Sequence, residues 1–112
     1  MRQAYAHEAL LVMDPDGDDR GPGAAITVAL CGRLEHEPPC PLAAHHTAAE
    51  RRDGELRLRV LFATAPDRVD EVRATIDEAL ATGEPSRWQL IRAGCTEVST
   101  GERPHARRLL KS

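Results

Sequence analysis

The sequence predicts an α+β domain: an antiparallel sheet of about four strands, in the order β-β-β-α-β, with one helix packed on one face. Three observations carry this. Leu56, Leu58, Val60 and Phe62 alternate with Arg57 and Arg59, the period of a half-buried strand. Val69, Val72, Ile76 and Leu80 repeat at helical spacing between start and stop signals. Further stretches rich in β-formers lie on either side of this pair. At 112 residues the chain is one domain, long enough to bury a modest core.

Taken in order, "YAHEALLVMD" places Ala9, Leu11 and Met13 on one strand face and Leu10 and Val12 on the other. Residues 3–13 read as a strand, with a helix as the competing reading. "DPDGDDRGPG" is dense in turn formers, making 14–23 an acidic, Gly/Pro loop. A second strand is expected in "AAITVALCGRLEHE", with Ile26, Val28, Leu30 and Leu34 on one parity and Thr27, Ala29, Cys31, Arg33 and Glu35 on the other. Residues 38–54 then form a Cys/His-containing loop, and "GELRLRVLFAT" the third strand. Thr64 can cap the helix, Pro66 suits its first turn, Asp67, Asp70 and Glu71 complement its positive end, and Gly83 with Pro85 stops it. "RWQLIRAGCTEVS" is the last strand, apolar on both parities, and 101–112 a basic tail, frayed or forming a short helix.

One helix covers only one face of such a sheet. The other, carrying Leu61, Ala63, Ile91 and Ala93, is expected to pack on a second copy or on the N-terminal segment, so a homodimer through the open sheet face is the preferred assembly. A formal charge of −3 offers no basic field for nucleic acid. No apolar run approaches the roughly 18–20 residues of a membrane span. The N-terminal "MRQAYAHEALLVMDPDGDD" has Glu8 within its apolar part and no small-residue cleavage site, so a cytoplasmic location is expected. Cys31, Cys40 and Cys95 cannot all pair within one chain, which leaves thiol or thiolate roles, or burial of Cys31 and Cys95 as small apolar groups.

The densest chemistry lies in "CGRLEHEPPCPLAAHH", spaced C-x4-H-x3-C-x4-H-H: Cys31, His36, Cys40, His45 and His46. Thiolate with imidazole is the donor set zinc favours, and copper(I) accepts the same atoms. Cys31 and Cys40 with His45 or His46 are the most compatible set; His36 joins only if a bulge or strand end reverses its direction. The second histidine, Cys95, water or another subunit would complete the shell. Thr47 and Glu50 have the spacing of a capping box, and Pro38, Pro39 and Pro41 restrain the backbone around Cys40. The expected function is therefore a small zinc-binding protein with a structural or regulatory role. The alternative is a non-enzymatic dimeric ligand- or protein-binding module that uses the open sheet face without metal. A thiol enzyme pairing Cys40 with His45 is the least favoured.

The remaining motifs are weaker. "DPDGDD" lacks the sixth-position glycine and twelfth-position glutamate of an EF-hand, having Asp19 and Ala25 there, and reads as a solvated turn. His7 and Glu8 adjoin on a strand, so they point to opposite faces, and His7 reads as a surface or interface histidine. Arg57 and Arg59 share a face and can bind an anion or line a solvated surface.

Overall fold

The computed structural model describes residues 2–15, 17–31, 43–82 and 88–111, without the side chains of Cys31 and Thr82. Its elements are β1 (Gln3–Met13), α1 (Gly21–Cys31), β2 (Ala44–Arg52), β3 (Glu55–Thr64), α2 (Val69–Thr82), β4 (Trp88–Thr96) and α3 (Arg103–Leu110); 3-10 turns at Pro66–Arg68 and Thr100–Glu102 lead into the last two helices. The sheet order is β2-β3-β1-β4 and every neighbouring pair is antiparallel. The α+β class therefore holds, with three helices among the described residues where the sequence suggested one. β1 and β2 run the same way with β3 inserted between them, which makes the chain a β-α-β-β-α-β split arrangement of ferredoxin-like topology, extended by α3.

The helices divide between the two faces. α1 and α2 cover one, where Leu11, Met13, Leu56, Leu58, Val60 and Phe62 from the sheet meet Ile26, Leu30, Val72, Ile76 and Leu80. The Trp88 indole N–H donates to the Leu80 carbonyl at 2.8 Å, fastening the start of β4 to the last turn of α2. α3 lies on the other face, where Leu109 closes a small apolar patch of Ala6, Ala44, Leu61 and Ala63.

The expected second strand is α1. Ile26 and Leu30 satisfy a strand's alternation and a helix's i, i+4 spacing equally, and Val28 decides between them: it is 48% exposed while Ile26 and Leu30 are buried. Most of the expected 38–54 loop is β2, an edge strand with few buried residues and hence no apolar alternation to reveal it. Thr47 and Glu50 lie within this strand, so they start no helical turn. A two-residue turn at Asp53-Gly54, with Asp53 at φ 57° in the left-handed region, joins β2 to β3. Thr64 ends β3 rather than capping a helix; Ala65 precedes the 3-10 turn and makes no side-chain cap.

Two sequence expectations about surfaces also change. His7 is buried in the core face rather than exposed: its Nδ1 accepts from Arg73 at 3.0 Å and its Nε2 lies 2.7 Å from Asp77. Arginine can only donate, so the ring proton sits on Nε2 and points at the Asp77 carboxylate. Both nitrogens are thereby satisfied, and this group is a buried structural contact. Leu61 and Ala63, expected to pack on a second copy or on the N-terminal segment, pack against Leu109 of the chain's own α3. Among the described residues, no helix is long and apolar enough to cross a membrane.

Candidate functional site

The face that carries α3 is only partly covered, and strand register gives the rest as two rows of directly opposed residues. The first reads Glu50, Arg57, Leu10, Arg92 across β2, β3, β1 and β4. The second reads Ala48, Arg59, Glu8, Gly94. Beyond them come His46, Leu61, Ala6 and Thr96, where α3 begins its cover. The open rows line a cleft of about 680 Å³, within the roughly 300–1,000 Å³ typical of small-molecule sites.

A β-bulge sets the middle of this cleft. Pairing between β1 and β4 shifts between Leu10 and Leu11: Leu11 opposes Leu90 and Leu10 opposes Arg92, leaving Ile91 as an extra residue. Trp88 and Leu90 pack on the helix-covered core, and regular alternation from Leu90 would send Arg92 to that core as well. The bulge switches parity, so Arg92 emerges on the open face while Ala93 returns to the core. Ile91 itself is 49% exposed. The apolar residues on both parities of this strand thus reflect a bulge and a single core face.

The three arginines of the cleft differ in their surroundings. Arg59 is held from several sides: its Nε and Nη2 donate to the two Glu102 carboxylate oxygens at 3.0 and 2.7 Å, and Nη2 donates to the Glu97 carbonyl at 2.9 Å. Glu8 lies 3.7 Å away. The paired guanidinium, aided by the Ser99 N–H that donates to Oε1 at 2.9 Å, holds the Glu102 carboxyl down at about 2. The Arg57 and Arg92 side chains, by contrast, make no hydrogen bond or ion pair with any described residue. They flank Leu10, which is only 8% exposed, and present two guanidinium forks from β3 and β4.

The sequence-predicted donors are distributed elsewhere. His45 and His46 are consecutive on β2 and face opposite sides of the sheet. The His45 Nε2 lies 3.0 Å from the Thr27 hydroxyl of α1. On the other side the His46 ring lies against that of His105 of α3, tilted by 40° with centroids 4.1 Å apart. Partial burial there, then the charges of His105 and Arg108, lower the His46 pKa. The two imidazoles cannot meet at one ion while β2 is paired as it is. Cys31 closes α1, whereas His36 and Cys40 lie outside the described residues, as do Pro38, Pro39 and Pro41. Among the described residues, no group of three or more His, Cys, Asp or Glu side chains is placed to hold a metal ion. Cys95 is an exposed free thiol opposite His7.

The acidic loop has a partner of its own. Arg51 donates to the Gly17 and Asp14 carbonyls at 3.0 and 2.9 Å and to the Asp19 carboxylate at 2.6 Å, tying these three residues to β2. Sequence reasoning noticed Arg57 and Arg59 as an anion-binding pair but missed Arg92, whose position depends on the bulge. No known protein-family model matches the chain, and no curated protein matches it either.

Proposed function

We propose that the chain is a non-enzymatic small-molecule-binding module whose ligand lies on the open half of the sheet. The carrying observation is the placement of Arg92 by the bulge, opposite Arg57 across Leu10, in a cleft where neither guanidinium has a described partner. An open antiparallel sheet face with an apolar floor and a few convergent polar groups has the make-up of a ligand seat. Bulges recur where a strand must re-aim a side chain beside a functional site. Glu8, Leu10, Ala48 and Gly94 complete the surroundings of the two arginines.

A fragment screen followed by amide chemical-shift mapping on the full chain tests this reading. Binders should shift Glu8, Leu10, Ala48, Arg57, Arg92 and Gly94 together. Shifts that cluster on α1 and α2, or no binders at the sheet, would overturn it.

A further inference from the structure

Resting on the ligand-binding reading above, we infer the ligand's chemical class: an organic acid with one carboxylate and an otherwise uncharged, largely apolar body. The carboxylate sits between Arg57 and Arg92, and the body crosses Leu10 toward Ala48 and Gly94.

The charges around the cleft lead to this class. Of its arginines, Arg59 already holds a carboxylate in two-point fashion, that of Glu102, and lies close to Glu8 as well. It has little left to offer a ligand. The Glu50 carboxylate lies 3.5 Å from Arg52, on its own strand. The charged groups left without a described partner on the open rows are thus the two guanidiniums on either side of Leu10. Neighbouring strands lie about 4.8 Å apart, so the backbones bearing them are separated by roughly 10 Å, a gap that two long side chains can close around one small anion. Planar guanidinium forks match a planar carboxylate, and each charge-assisted hydrogen bond is about twice as strong as a neutral one.

The same rows limit the ligand to one acidic group. Glu50 stands beside Arg57 in the first row, and Glu8 beside Arg59 in the second. A second negative charge on the body, or the second charge of a phosphate monoester, meets one of these carboxylates at close range. The body has room because Ala48 and Gly94 end the second row with small groups; a Cβ built on Gly94 would touch nothing within 4 Å. The Leu10 side chain supplies the apolar floor.

Matched probes test the class: 2-naphthoate, its neutral amide, 2,6-naphthalenedicarboxylate and 2-naphthyl phosphate, titrated into the full chain with amide shifts as readout. The inference expects naphthoate to bind at the cleft at least about tenfold more tightly than the amide, with the dicarboxylate and phosphate weaker than naphthoate. Arg57→Gln and Arg92→Gln should each remove most of that preference, while Arg107→Gln, on exposed α3, should leave it. The spectra of the variants themselves report whether they fold. Equal cleft binding by acid and amide would overturn the acid class and leave the ligand-binding reading standing. Tighter binding of the dianions would overturn the single-charge limit. No cleft shifts from any of the four probes would overturn the class here, and failure of the wider fragment screen as well would sink the site itself.

Discussion

Replacing Glu102 by glutamine keeps the side chain's shape but removes the charge that holds Arg59, and the cost follows from the carboxyl's position on the pH scale. A carboxyl held at about 2 instead of 4.5 corresponds to about 3 kcal/mol as an upper bound. Arg59 is 34% exposed and Glu102 21%, so solvent screening reduces the expected loss to about 1–2 kcal/mol. The native pKa is the depressed one, so between the two values the unfolded chain binds more protons than the folded chain. The stabilisation is therefore complete above about pH 4.5 and fades as the pH falls toward 2. Urea unfolding of the wild type and Glu102→Gln at pH 7 and near pH 2.5 measures it. A gap of about 1–2 kcal/mol at neutral pH should largely close in acid. A gap of the same size at both pH values, or none at pH 7, would refute the reasoning and return Arg59 to the set of arginines available to a ligand.

Three further outcomes are expected. The lowered His46 pKa means that the folded chain resists protonating this ring, so its contribution is present above about pH 6.5 and is lost as the pH falls through the lowered value. His46→Asn should flatten that part of the stability–pH curve, and titrating the ring protons by NMR checks the direction. Deleting Ile91 leaves the opposed pairs of β1 and β4 as they stand, and the residue is half exposed. The deletion variant should therefore fold within about 1 kcal/mol of wild type, measured by urea unfolding, and keep Arg92 on the open face. If one zinc ion were held by both His45 and His46, β2 would have to leave the sheet. A zinc titration should accordingly leave the β2–β3 amide resonances in place, and their loss at one equivalent would show that such a site forms.

Particular residues show where the sequence was legible. The alternation of β3 and the stripe of α2 were readable because each presents one apolar face to one core: Leu56, Leu58, Val60 and Phe62 are buried, as are Val72, Ile76 and Leu80. α1 was not, because Ile26 and Leu30 fit a strand's alternation and a helix's i, i+4 spacing alike and only tertiary packing exposes Val28. β2 lacked an apolar pattern because it is an edge strand whose open-face residues meet solvent; the Asp-Gly pair at 53–54 was the one local signal that would have revealed it. At the site, Arg57 was visible as the charged side of an alternating strand. Its partner across β1 was not, since the bulge reverses the parity of Arg92, and local spacing does not encode Arg59's commitment to a glutamate 43 residues downstream. His45 and His46 looked like a cluster because adjacency in sequence resembles adjacency in space in a loop. In a strand it means the opposite.

The most direct test is a crystal structure of the chain with a naphthoate-like acid bound. The carboxylate should lie between the Arg57 and Arg92 guanidiniums, with the apolar body over Leu10 and Glu102 still paired with Arg59. An acid bound beside His45 and α1, or on the open face but away from both arginines, would contradict it.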